Sequence, residues 1–331
     1  MTNFVDKARR LVNDIVIQHD SFHQMLARME ALWRDALARI PVVAVFTGET
    51  GTGKTTAIKE FARQHPARRS PDGLVIPVLV IDTPSKPNPR NLGERILRAL
   101  GDPRPTAGSA ANKLDRIVTN LERSGVKIII LDDMQHFVDK RQQIALFEAS
   151  DYLKELLVSY DVVLLCFGLP ECELVIQSNE QLVTRSKAVF ELRRFDWTNQ
   201  ASQDQFVAVL KEFQSSIRGF DLPDMKSPEL SIRMYLATGG LIRCVAAILS
   251  KAIRNAIDRG VTKIRMQDLA SSWSEEVVGA NTKYPNPFER SFALQDLPNK
   301  IALAKTIGQR AVRPQPAGKR KPKAVLAEIG M

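Results

Sequence analysis

Eight residues constrain the fold more than any others. Gly48-Glu49-Thr50-Gly51-Thr52-Gly53-Lys54-Thr55 follows the apolar run VVAVF (42–46) and opens a helical pattern over 54–64. Between a strand and a helix, the spacing G-x-x-x-x-G-K-[ST] belongs to a loop whose backbone N–H groups curl around a phosphate. The positive end of the following helix points at the same oxygens. Lys54 is expected to reach the β- and γ-phosphates of a nucleoside triphosphate and the Thr55 hydroxyl to ligate Mg²⁺, with Gly48 through Thr56 forming the cradle.

Further β-branched runs lie at 74–82 (LVIPVLVID), 126–131 (VKIIIL), 161–167 (DVVLLCF) and, more weakly, 188–192 (AVFEL), with helical stretches between them. This alternation predicts an α/β fold with a parallel five-stranded sheet flanked by helices. Residues 3–39 read as one leading helix, its apolar residues recurring at three- and four-residue steps until Pro41 ends the pattern. From Ser202 to about Trp273 the pattern is helical only, which predicts a small all-α domain. The expected division is 1–40 helical extension, 41–198 nucleotide-binding domain, 199–275 α-helical lid and 276–331 basic, proline-rich tail without a core of its own.

The strand pattern KIIILDDMQHF (127–137) supplies the second half of a phosphate site. Asp132 ends the strand, where a carboxylate can hold Mg²⁺ through water. Asp133, one residue on, is placed to polarise an attacking water as general base. It stands where a Glu is more usual, and the side chain shorter by one methylene predicts slow hydrolysis. Asn112-Lys113-Leu114-Asp115 spells a guanine-specificity box but precedes Asp132 and lies in a helical pattern, so it reads as a helix surface and adenine is the expected base.

Phosphoryl transfer also needs positive charge on the γ-phosphate at the transition state. Arg243, in TGGLIR (238–243), opens a helix of the α-domain and can fold over the phosphates. Arg185, in NEQLVTRSKAVFEL (179–192), is far in sequence from the loop and can reach a neighbouring subunit's nucleotide; Arg193 and Arg194 are nearby alternatives.

The chain carries 47 Lys and Arg against 37 Asp and Glu, a formal net charge of +10, which argues for a polyanionic partner. Ten basic and three acidic residues give 283–331 a net of +7, leaving +3 for everything before it. A DNA contact by the body therefore needs a local basic loop. Segment 83–105, with Lys86, Arg90, Arg95, Arg98 and Arg104 against Glu94 and Asp102, offers one that suits phosphates rather than base edges. No apolar run approaches the roughly 18 residues of a membrane span, and MTNFVDKARR lacks a signal core, so a cytoplasmic location and no membrane partner are expected. Cys166, Cys172 and Cys244 lack metal or disulfide spacing and read as reduced, buried thiols. His19 and His23 stand four apart without the Glu of a zinc-protease helix.

GETGTGKT, IIILDD, an arginine before the fifth strand and GGLIR in a helical lid together resemble an AAA+ ATPase. The long first helix, IDTPSKPNPRNLGERIL, EQLVTRSKAVFELRRF and ATGGLIRCVAAILSKAIRNAIDRGVTKIRMQDL resemble the TniB/TnsC family of transposition regulators over about residues 20–275. The resemblance implies an ATP- and Mg²⁺-dependent ATPase that oligomerises as a ring or helical filament on double-stranded DNA and directs a transposase. It implies Arg185 as the arginine finger, Arg243 as the second sensor, and Lys86, Arg90 and Thr106 as DNA contacts. The implied partners are a DDE transposase, a TniQ-type target-selection protein and, in some systems, a CRISPR effector, with the basic tail as a tether. Members usually end the fourth strand on a small polar first sensor; CFGLPE (166–171) offers none. A replication initiator or helicase loader of the same superfamily, and a non-hydrolysing ATP-bound DNA scaffold, remain alternatives.

Overall fold

The computed structural model describes residues 12, 15–71, 73–85, 87–138, 143–278 and 284–308. Helix α1 (Asp20–Leu37) buries Phe22, Met25, Met29, Leu32 and Ala36, one apolar stripe at helical spacing. It starts well after residue 3: residues 15–19 are non-helical, with His19 in the extended region as N-cap. Ile15, Val16 and Ile17 are three consecutive β-branched residues, which favour extended backbone. Ile17 is buried in the core of the α-domain, while Val16 faces solvent.

Five strands form one parallel sheet. β1 (Val43–Gly48) runs into the glycine loop and helix α2 (Lys54–Gln64). The run at 74–82 divides: β2 (Arg68–Ser70) and β3 (Gly73–Val75) pair as an antiparallel hairpin, and β4 (Val78–Asp82) joins the main sheet after Pro77, which has no N–H for a ladder. Helices α3 (Pro89–Ala99) and α4 (Ala110–Arg123) lead to β5 (Ile128–Asp132), and α5 (Gln143–Ser159) to β6 (Val163–Gly168). The short helices α6 (Glu173–Gln177) and α7 (Glu180–Thr184) precede β7 (Phe190–Leu192). The strand order is β4-β5-β6-β1-β7, with every pairing parallel. All five expected strands are present.

Alternation along the strands divides the core between the two faces. Val43 and Val45 pack with Leu92, Ile117 and Leu153 of α3, α4 and α5. Ala44 and Phe46 pack with Met25 and Met29 of α1 and Phe61 of α2. The sheet is therefore covered on both sides, and the ends of its central strands are left for the site.

The α-domain comprises α8 (Gln200–Ser216), α9 (Pro228–Thr238), α10 (Ile242–Asp258) and α11 (Met266–Trp273), followed by a π-turn at Ser274–Val278. Residues 284–308 depart from the coreless tail expected of them. Phe288, Phe292 and, from α12 (Leu297–Ala304), Ile301 and Ala304 are buried in the same core as Phe206, Tyr235 and Trp273. Two buried Phe side chains contribute about 1.5–3 kcal/mol each, enough to hold a proline-rich segment in place. Arg233, buried in α9, donates to the carbonyls of Pro287 (2.5 Å) and Phe292 (3.3 Å), and Tyr284 to that of Leu236 (3.0 Å). The basic run GKRKPK (318–323) lies outside the described residues.

Gly239, the left-handed C-cap of α9 (φ +59°), lies against this segment: a Cβ there would stand 2.3 Å from the Ala304 carbonyl oxygen. Gly239→Ala is expected to cost about 2–3 kcal/mol from left-handed strain plus displaced packing, measured as a lower urea midpoint at unchanged m. An unchanged midpoint would show that residues 297–308 are not docked there.

Among the described residues, no single helix is long and apolar enough to cross a membrane.

Candidate nucleotide site

The glycine loop leaves β1 at Gly48 and enters α2 at Lys54, with Gly51 (φ +91°) and Gly53 (φ +111°) in conformations closed to most side chains. Thr52 is buried and its hydroxyl donates to Glu49 O (2.9 Å), fixing the turn. Lys54 is 9% exposed, and its ammonium donates to Gly48 O (2.6 Å) and Glu49 O (2.9 Å). Burial pushes its pKa down, opposed by the charges of Asp132 and Asp133.

Thr55 Oγ1 donates to Asp132 Oδ2 (2.8 Å), joining α2 to the end of β5. The other oxygen of Asp132, Oδ1, accepts the Asp133 backbone N–H (2.8 Å). Burial raises the Asp132 pKa, while the Thr55 hydrogen bond works against it. This hydroxyl–carboxylate pair beside a buried ammonium is a donor set that suits Mg²⁺ with phosphate oxygens: hard oxygen ligands and few protein carboxylates.

Thr50, Gly51, Gly53, Lys54, Thr55, Thr56, Asp133 and Arg243 line one cavity of about 450 Å³. Val12, Ile15, Phe213, Ile242 and Ala246 form its apolar wall, suited to a purine base. The wall comes from the N-terminal segment and the α-domain, with Ile15 opening the non-helical stretch 15–19. Arg243 lies on the loop itself: its backbone N–H donates to Gly51 O (3.3 Å), and a Cβ on Gly51 would meet its side chain at 2.8 Å.

Arg185 is placed elsewhere. Its carbonyl accepts the N–H of Val43, the first residue of β1, and its guanidinium donates to Leu157 O (3.3 Å) at the end of α5. It thus stands at the opposite end of β1 from the loop. Arg193 is paired with Glu191 at the surface (2.7 Å). Arg194 is an internal hub. Its guanidinium pairs with both carboxylate oxygens of Glu49 and donates to Gly239 O (3.1 Å), Lys305 O (3.0 Å) and Ile307 O (3.2 Å). Loop, α-domain and C-terminal segment meet on this one side chain, which removes it as a candidate for reaching a neighbour.

Arg90, at the start of α3, and Thr106, in the loop before α4, are exposed; Lys86 lies outside the described residues. Pro89 of α3 and Ala110 and Ala111 of α4 border the same small cavity, so the two helix starts are neighbours on one side of the sheet. Asn112-Lys113-Leu114-Asp115 falls in α4, where Asn112 completes a capping box with Ser109. Lys113 is not on the surface: it is fully buried and donates to Pro105 O (2.6 Å) and Ala107 O (3.1 Å), holding the Thr106 loop closed. His19 is buried, its ring edge-on to Phe195 at 5.2 Å, and burial lowers its pKa to about 4. The three cysteines are free and buried.

Sequence reasoning missed Gln135. Its amide donates to Asp133 Oδ1 (2.8 Å) and accepts the Leu169 N–H (3.2 Å), and it lines the cavity.

A family model described as bacterial TniB protein matches residues 7–197. The curated ORC1-type DNA replication protein 1 of Aeropyrum pernix is 31% identical over 103 residues, 30% of this chain, and the chain spans about a quarter (26%) of its length. Among solved structures, Cdc6p from Pyrobaculum aerophilum superposes with a TM-score of 0.58 at 18% identity, covering 81% of this chain and 70% of that one. The Aeropyrum pernix ORC1 protein in complex with DNA gives 0.58 at 18%, with 80% and 68% coverage. At such identities the likeness is one of fold, that of the AAA+ ATPases.

Proposed function

The chain belongs to the TniB family of bacterial proteins, and from that premise we propose that it is a DNA-dependent ATP switch that assembles on double-stranded DNA and recruits a transposase. One observation carries the nucleotide half: Lys54, Thr55, Asp133 and Arg243 surround one cavity with an apolar wall, and Asp132 is bonded to Thr55. Lys54 would leave the loop carbonyls for the β- and γ-phosphates, and Thr55 with Asp132 would hold Mg²⁺. The bound cation would offset phosphate charge in the ground state and as it redistributes during transfer. Asp133 would take the proton of the attacking water. Arg243, already on the loop, would carry nucleotide occupancy to the α-domain, and Arg185 would complete the site of the next protomer. A cytoplasmic location is part of this reading.

The DNA half rests on Arg90 and Thr106, beside neighbouring helix starts, and on Lys86, four residues before Arg90 in the sequence. Two or three phosphate contacts per protomer bind weakly alone, but repetition along an assembly multiplies them. The proposed partners are a DDE transposase and a TniQ-type target-selection protein, with a CRISPR effector in some systems; hydrolysis would take the assembly apart. The match to an ORC1-type replication protein favours a second reading, a replication initiator or loader acting on DNA.

Negative-stain microscopy with duplex DNA, Mg²⁺ and ATP is expected to show rings or filaments that need all three, with Arg90→Glu abolishing them while ATP affinity is unchanged. Monomers under every condition would reject the assembly reading. Transposase capture by the assembled protein separates a transposition regulator from a replication factor, which would not capture it.

A further inference from the structure

β6 ends on Gly168 and so offers no side chain to the space between its end and that of β5. Gln135 fills that space from the other side. Its Nε2 donates to Asp133 Oδ1 (2.8 Å), and its Oε1 accepts the N–H of Leu169, the first residue beyond β6 (3.2 Å). The fit is tight: a Cβ on Gly168 would stand 2.9 Å from that Oε1. Gln135 is partly buried and borders the same cavity as Lys54, Thr55 and Asp133.

Asp133 needs such a partner. It adopts a left-handed backbone (φ +57°), which is uncommon outside glycine and costs of the order of 1 kcal/mol or more. Its carboxylate reaches one methylene less far than a Glu, and it is exposed. Asp132 cannot serve in its place, because its two oxygens are held by Thr55 and by the Asp133 N–H. With Oδ1 anchored by an amide that is itself anchored to β6, the direction of the remaining oxygen is fixed.

We propose that Gln135 is the positioning residue for ATP hydrolysis: its amide holds the Asp133 carboxylate toward the cavity and stands in for the polar side chain that β6 lacks. The two amide ends have separate tasks. The donor aims the base; the acceptor ties that aim to the strand end. This inference rests on the ATPase reading above and concerns only the hydrolytic step, not nucleotide binding.

Two variants separate the tasks in steady-state phosphate release with saturating duplex DNA. Gln135→Met keeps the bulk and loses both bonds; Gln135→Glu keeps the acceptor for Leu169 and loses the donor to Asp133. Both are expected to lower kcat ten- to a hundredfold. KM for ATP in Gln135→Met should stay within about threefold of the parent, because positioning of a base affects the transition state and not substrate binding. Both variants should melt within a few degrees of the parent and assemble on DNA with ATP. Parent-like kcat in Gln135→Glu would overturn the proposal, since a tether to β6 would then be the residue's only task. Parent-like kcat in Gln135→Met would also overturn it. A parent that releases no phosphate, with or without DNA, would remove the hydrolysis reading and this inference with it.

Discussion

Mixing Lys54→Ala protein with Arg185→Ala protein is expected to restore ATP turnover that neither variant has alone. The reason is distance along one strand. Arg185 is hydrogen-bonded to Val43 at the start of β1, and the phosphate loop begins at Gly48 at its end. Five residues of extended chain span about 16 Å, more than an arginine side chain reaches. If Arg185 acts on a phosphate, that phosphate belongs to another protomer. Arginines supplied across an interface are worth about 10³–10⁵ in kcat, so Arg185→Ala should retain about a thousandth of parental turnover or less while still binding ATP. Lys54→Ala should fail earlier, at binding. In an equimolar head-to-tail assembly about a quarter of interfaces pair an intact Lys54 site with an intact Arg185, and turnover per protomer should return to about that fraction. Phosphate release in the mixture, compared with each variant at the same total concentration, checks it. No recovery, with the two variants present together in assemblies on DNA, would show that Arg185 does not complete a neighbour's site.

What was legible in the sequence follows from the range of the interactions. The loop at 48–55 and the Asp132–Asp133 strand end were readable because their chemistry is set by residues next to one another. The strands were readable because burial on both faces leaves unbroken apolar runs such as IIIL (128–131), and even the weak run before Leu192 pairs with β1. Contacts between distant segments were not readable. Proline spacing suggested that 284–308 had no core, yet Phe288 and Phe292 need only a groove made elsewhere, by α9 and α11. Lys113 looked like a surface residue because a buried lysine is rare; only the returning carbonyls of Pro105 and Ala107 make it possible. Gln135 was invisible because one of its two partners, Leu169, lies 34 residues further along the chain. The empty position at Gly168 was a signal, since a strand end without a side chain leaves room for a neighbour's.

Arg194 shows how far one such contact can extend. Its side chain is 9% exposed, and its guanidinium has five N–H donors, directed to Glu49 on the loop, Gly239 at the end of α9 and the carbonyls of Lys305 and Ile307 after α12. Arg194→Met keeps the stem and removes the donors, leaving three backbone carbonyls short of a partner. A loss of about 2–4 kcal/mol in stability is expected, seen as a lower urea midpoint. A second effect is electrostatic. Glu49 is an acid in the second position of a loop proposed to hold a triphosphate, and Arg194 pairs with it. Without that partner, the uncompensated charge on the loop opposes the phosphates, and ATP affinity is expected to fall about tenfold or more, each factor of ten being ~1.4 kcal/mol. The two effects separate in a double variant. Glu49→Gln combined with Arg194→Met should recover most of the affinity, measured with a fluorescent ATP analogue, while the urea midpoint stays low. The coupling between the two sites should therefore be larger in binding than in stability. If Arg194→Met binds nucleotide as tightly as the parent, Glu49 is too well solvated at 41% side-chain exposure to affect the phosphates, and the hub only holds the C-terminal segment to the α-domain.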